Sequence, residues 1–238
     1  MRRVALITGV SRRAGIGAAL ARRLVADGMD LLVTGWEAND ADQPHGADPG
    51  AMDRMAAEIG GAGGRVTTVS ADLADPGVPA QLVARAVDAY GRLDVVVANH
   101  ARPGMQALEE LTATEIDLTL AVNTRATLLL VKEFARVYQT GHPGGRVVLF
   151  TSGQYHGAMA TELPYVASKG ALHQLTASLA AYLMPRGITV NCIDPGPNDT
   201  GYAGEELRSW VAGRNPGGRW GTPDDAASLV AWLVSEAA

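Results

Sequence analysis

At 238 residues, 47% hydrophobic and 19% charged, the chain is long enough for one domain with a sizeable core, and no apolar run approaches a membrane span. Twenty basic residues against 25 acidic ones leave a net charge of −5 with no basic run or basic-aromatic stripe, which argues against a nucleic-acid partner. Cys192 is the single cysteine, so an intrachain disulfide or a cysteine-based zinc site is excluded, and His45, His100, His142, His156 and His173 show no ligand spacing, so no metal is expected.

In chain order, the start MRRVALITG lacks a signal-peptide apolar region and cleavage site, and a cytoplasmic protein is the simplest reading. The predicted first strand, RVALITG, runs into TGVSRRAGIG (residues 8–17) and then a helix. Gly9, Gly15 and Gly17 permit a tight turn and close backbone approach, and the amides at the helix start attract a diphosphate. Ser11, Arg12 and Arg13 lie in this turn, and Ile16 follows it. The second strand, DLLVTGW, ends about 20 residues on, where an acid normally takes the ribose 2′-hydroxyl of NAD. Here Gly35 and Trp36 precede the first acid, Glu37, so a 2′-phosphate meets less repulsion and Arg12 and Arg13 can pair with it. NADP(H) is the preferred cofactor and NAD(H) the alternative; Trp36 either stacks near the adenine or caps the sheet edge.

The insert EANDADQPHGADPG (residues 37–50) reads as a long surface loop that either covers the adenosine end or is simply solvated. Strands GRVTTVSADL, LDVVVANHA, GRVVLFTSG and GITVNCIDPG then alternate with helical stretches AMDRMAAEIGG, PAQLVARAVDAYG, a long one over about 112–140, and LPYVASKGALHQLTASLAAYLMPRG. Such alternation predicts an α/β doubly wound parallel sheet, helices on both faces, in a single domain over residues 1–238. Ligands bind beyond the carboxyl ends of such strands. On the last of these helices Tyr165 and Lys169 stand one turn apart on one face, with Ser152 upstream.

These motifs together resemble the short-chain dehydrogenase/reductase (SDR) family over nearly the whole chain. They are Thr8-Gly9 through Gly15-Ile16-Gly17, Asp72-Leu73, ANHA after the fourth strand, Asn123 in AVNTRA, Ser152 thirteen residues before Tyr165, Tyr165-x-x-x-Lys169, and DPGPNDT. The resemblance, which extends to 3-oxoacyl-acyl-carrier-protein reductase-like members, implies a Rossmann fold and interconversion of a ketone and a secondary alcohol by hydride transfer. It implies Tyr165 as general acid/base, Lys169 as the cation favouring its phenolate, Ser152 bonded to the substrate oxygen, and Asn123 holding a water that links Lys169 to solvent. It places Asp72 with Leu73 at the adenine and the backbone of His100 and Ala101 along the ribose. Asn99 ties strands together, and Pro195, Gly196 and Thr200 line the nicotinamide and its phosphate. Residues 197–215 would form a substrate lid, with Tyr155, His156, Met159, Glu162, Tyr202 and Trp210 as pocket candidates.

Three features depart from the family pattern. Five residues separate Gly9 from Gly15 where three are usual. That turn resembles the enoyl-carrier reductases, which however place six residues between tyrosine and lysine; three lie between Tyr165 and Lys169, which favours carbonyl chemistry. ANHA replaces the usual NNAG, so His100 either titrates beside the cofactor or serves structurally. The sequence stops at WLVSEAA where family members continue into a seventh strand, so a six-stranded sheet is expected. Association would then be a homodimer through the two long helices or a homotetramer. The expected function is thus an NADP(H)-preferring oxidoreductase acting on a small carbonyl or alcohol; the alternatives are a non-catalytic cofactor-binding sensor or scaffold, and an enoyl reductase.

Overall fold

The computed structural model describes residues 2–43, 46–61, 63–139, 144–201 and 203–238. Runs rich in valine, leucine and isoleucine form six parallel strands: β1 Val4–Thr8, β2 Asp30–Gly35, β3 Val66–Ser70, β4 Val95–Ala98, β5 Gly145–Phe150 and β6 Ile188–Ile193. They pair in the order β3-β2-β1-β4-β5-β6. β1, β2, β4 and β5 are buried along their whole length, which is why they read as continuous apolar runs.

Helices cover both faces. Ala5 and Ile7 pack with α1 (Ile16–Ala26), α3 (Ala51–Gly61) and α9 (Pro223–Val234). Val4 and Leu6, pointing the other way, pack with α4 (Val78–Tyr90), α6 (Ala126–Val137) and the end of α7 (Leu163–Leu183). The register carries Ala5 opposite Leu31 of β2 on one side and Val95 of β4 on the other. The strand order turns about β1, so the crevice at the carboxyl ends of β1 and β4 is the place where this architecture binds ligands.

The structure corrects three sequence expectations. The insert at 37–50 is not all loop: it opens with α2 (Glu37–Ala41), and the Glu37 carboxylate accepts the Gly50 amide at 2.8 Å, drawing the two ends of the insert together. The long helix over about 112–140 is there from Ala113 to Val137, but it runs from α5 (Ala113–Leu120) into α6 through an unforeseen π-helical turn at Ala121–Arg125; Thr140 lies outside the described residues. Beyond β6 stand α8 (Glu205–Ala212) and α9, which the period of the chain did not single out. The start of α9 was nevertheless legible: Thr222 accepts the Asp225 amide and Asp225 accepts the Thr222 amide, a reciprocal cap around Pro223. No helix among the described residues is long and apolar enough to cross a membrane.

Candidate active site

The turn after β1 is built by absent side chains. A Cβ on Gly17 would lie 2.2 Å from the Gly9 carbonyl oxygen, so only glycine lets α1 start this close to the strand. Gly9 has φ of +72°, and a Cβ there would meet Asn99 and His100 at 2.9 Å. Asn99 Nδ2 donates to the carbonyls of Thr8 and Gly9, both at 3.0 Å, tying β4 to this turn. α1 follows Gly15 with no side-chain cap and no acidic residue in its first turn, and Ile16 packs on the core. The positive end of the helix is therefore presented to an anion, and the residues fit a dinucleotide diphosphate.

The two arginines have partners within the chain. Arg13 Nη1 pairs with Glu58 of α3 at 2.5 Å on the exposed surface. Arg12 Nη2 donates across the crevice to the Thr200 carbonyl. Ser11 packs against Gly35 at the end of β2, where Trp36 is 40% exposed. Asp72 accepts the Ala74 amide at 2.8 Å, while the side chain of Leu73 is buried in the core and Ala101 is exposed.

Across the crevice, α7 carries Tyr165 and Lys169 on one side. Lys169 Nζ lies 5.6 Å from the centre of the Tyr165 ring and donates to the Phe150 carbonyl at the end of β5, at 3.0 Å. The lysine is 2% exposed, and burial lowers its pKa to about 8, opposed by the nearby Cys192 thiol. It remains mostly cationic at neutral pH. Burial pushes the Cys192 thiol up. Ser152, partly buried, begins the turn after β5.

Asn123 sits in the π-helical turn, fully buried, with its amide committed on both sides. Its Oδ1 accepts the Arg102 amide at 2.7 Å, and its Nδ2 donates to the Arg102 carbonyl at 3.0 Å and to Ser168 Oγ at 2.9 Å. Ser168 Oγ in turn donates to the Tyr165 carbonyl at 2.8 Å. The side chain is thus a bracket between the loop after β4 and α7. His100 is buried at the end of β4, bonded to Thr8 and Val122; burial above all, and Lys169 to a lesser degree, lower its pKa to about 4.

The rim is formed by segments after β5 and β6. Tyr155 stacks on His173 of α7 with ring centres 5.3 Å apart and lies against His156, whose Nε2 is 3.8 Å from Asp194. Met159 is partly buried, and burial raises the carboxyl of Glu162 at the start of α7. Asp194 accepts the Gly196 amide at 2.9 Å, and Asn198 Nδ2 donates to the Pro195 and Gly196 carbonyls. Asn198 bridges to Gly221, closing the base of the 197–215 segment. Trp210, on α8 within it, is 55% exposed and covered by Arg214 at 4.1 Å; Tyr202 lies outside the described residues. Among the described residues no three histidine, cysteine, aspartate or glutamate side chains gather to hold a metal; His45 and His142 fall outside them.

Motif reasoning did not single out Thr8 as the partner of His100, Arg102 and Ser168 as the partners of Asn123, or Thr151, whose Oγ1 donates to the Lys169 carbonyl at 3.2 Å. Ser168 had one sequence signal: a polar residue three positions past Tyr165 on the same helix face.

A family model described as enoyl-(acyl carrier protein) reductase matches residues 9–238. A short-chain dehydrogenase from Burkholderia cenocepacia, solved in complex with NADP, is 37% identical, with a TM-score of 0.85 over 99% of this chain and 91% of that one. The angucycline C-6 ketoreductase LanV, solved with bound NADP, is 32% identical, with a TM-score of 0.85 over 99% of this chain and 89% of that one. An NADPH-dependent aldehyde reductase-like protein of the chloroplast in Arabidopsis thaliana is 32% identical, spanning 98% of this chain and 88% of the relative.

Proposed function

The chain belongs to the short-chain dehydrogenase/reductase family, and from that premise we propose that it is an NADP(H)-preferring oxidoreductase interconverting a ketone and a secondary alcohol of a small molecule. The observation that carries the proposal is the buried Lys169 ammonium facing the Tyr165 ring at the carboxyl end of β5. A bound nicotinamide dinucleotide supplies the hydride. The phenol of Tyr165 gives its proton to the carbonyl oxygen as the carbonyl carbon is reduced, and Lys169 stabilises the phenolate left behind. Ser152 Oγ donates a hydrogen bond to the same oxygen, holding the carbonyl in line with Tyr165. Gly9, Gly15, Gly17 and the start of α1 would hold the diphosphate, with Pro195, Gly196 and Thr200 at the nicotinamide end.

Preference for the 2′-phosphate is supported by the missing acid after β2 and by the NADP-bound relatives. Glu37, the first acid available, is held by the Gly50 amide. Arg13 can exchange Glu58 for a phosphate at small cost, since exposed ion pairs contribute only about 0–1 kcal/mol. Tyr155, Met159, Glu162 and Trp210 would border the substrate. The family model's description favours a second reading, reduction of an activated alkene, against which stands the three-residue interval between Tyr165 and Lys169.

The test is NADPH oxidation across a panel of ketones, aldehydes and activated alkenes, with Tyr165→Phe alongside. We expect ketone turnover that Tyr165→Phe lowers by about a thousandfold while NADPH binding persists. Undiminished turnover in Tyr165→Phe would reject the proposal. Turnover of alkenes alone would assign the second reading, and cofactor binding without turnover of any class would assign a non-catalytic role.

A further inference from the structure

We infer that His100 is a positioning residue for this reaction: its ring ties the cofactor turn to the π-helical turn carrying Asn123, and so sets the hydride-delivering and proton-delivering halves of the site against each other. The inference rests on the reading above. His100 Nε2 lies 2.9 Å from the Val122 carbonyl oxygen, and Nδ1 lies 2.7 Å from Thr8 Oγ1. A carbonyl only accepts, so Nε2 carries the hydrogen, and Nδ1 is left to accept the Thr8 hydroxyl. The same Thr8 oxygen accepts the His100 backbone amide at 3.2 Å. With 8% exposure and Lys169 nearby, the ring is held neutral, which is the only form that offers one donor and one acceptor.

The two ends of this bridge are the two halves of the site. Thr8 ends β1 and leads into Gly9, where an added Cβ would lie 2.9 Å from the His100 α-carbon. Val122 precedes Asn123, whose amide grips the Arg102 backbone and Ser168, and Ser168 adjoins Lys169 and bonds the Tyr165 carbonyl. A run of hydrogen bonds, carried at one point by the backbone from Val122 to Asn123, therefore passes from the cofactor turn through one imidazole to the catalytic helix. The π-helical turn interrupts the regular helical ladder, and a side chain bonded to one of its carbonyls is a recognised cause of such a break. Misplacement of reacting groups by about 1 Å can cost on the order of a hundredfold in rate, so loosening this bridge should appear in chemistry before it appears in binding.

The test compares His100→Ala, which removes both bonds, His100→Gln, which keeps a donor and an acceptor, and Thr8→Val, which removes only the hydroxyl. Ketone kcat and KM, NADPH dissociation constants and thermal melts are measured on each. We expect kcat to fall about tenfold or more in His100→Ala and Thr8→Val, with ketone KM and NADPH affinity within about threefold, and His100→Gln to recover most of kcat. A His100→Ala enzyme with kcat within about twofold of wild type overturns the inference, as does a His100→Gln enzyme that melts normally and recovers nothing. Should His100→Ala fail to fold, His100→Gln and Thr8→Val decide by the same criteria. Tyr165→Phe in the same assays separates the two claims: if it abolishes turnover while the His100 and Thr8 variants are unaffected, only the bridge is wrong; if it leaves turnover intact, the oxidoreductase reading is wrong.

Discussion

Lys169 and His100 are buried bases whose protonation the fold opposes, and each makes stability depend on pH. The lysine's pKa falls from 10.5 to about 8, so between those values the native state holds fewer protons than the unfolded chain, and stability rises as pH climbs from about 8 to 10.5. At neutral pH the burial costs about 3 kcal/mol. Lys169→Met is therefore expected to abolish turnover yet raise the unfolding free energy at pH 7 by up to about 3 kcal/mol, an advantage that shrinks as pH climbs from about 8 and is gone above about 10.5; urea denaturation at pH 7 and at pH 10.5 checks it. The histidine's pKa falls from 6.5 to about 4, so the native state again holds fewer protons, and stability drops as pH falls from 6.5 toward 4. Replacing it by glutamine should remove about 3 kcal/mol of that acid sensitivity, read as the difference between the wild-type and variant slopes. Neither shift could be read from the sequence, because burial and not residue type produces it.

The glycine turn and the π-helical turn differ in how far local sequence announced them. TGVSRRAGIG following a β-branched run signals a strand-to-helix turn, and the space at Gly17 gives the physical reason: an added methyl would strike the Gly9 carbonyl. Gly17→Ala should force α1 away from β1, destabilise the protein by at least about 2 kcal/mol and weaken NADPH binding. Gly60→Ala in α3 is the matched control; nothing lies within 4 Å of its would-be Cβ, and stability should rise by about 0.5–1 kcal/mol in the same denaturation assay. The π-helical turn, by contrast, contains neither proline nor glycine, and the helical period runs through it unbroken. Its supports come from the Arg102 backbone and the Ser168 and His100 side chains, 21 to 45 positions away, so no window of local sequence could announce it.

The assembled sheet explains why residues scattered from Thr8 to Thr200 converge: parallel strands with crossovers bring all their carboxyl ends to one edge. Association is expected to extend the molecule further. α7 buries few of its residues although most of them are apolar, and Tyr182 and Met184 at its end are 78% and 54% exposed. Sedimentation equilibrium should show a homodimer or larger assembly, and Tyr182→Arg should shift it toward monomer; a wild-type monomer at micromolar concentration would remove this expectation. Periodicity and glycine placement were enough to foretell the parallel α/β class and the alternation of strand and helix as far as β6, since these depend on neighbours a few residues apart, while the likeness to a reductase family was carried by motifs from Thr8-Gly9 to Tyr165-x-x-x-Lys169. Which groups brace the catalytic residues, that Arg12 reaches Thr200 while Arg13 pairs with Glu58, and that the imidazole of His100 bridges Thr8 and Val122 depended on folding. Those contacts join segments far apart along the chain, and at His100 their strength comes from water being excluded where the segments meet.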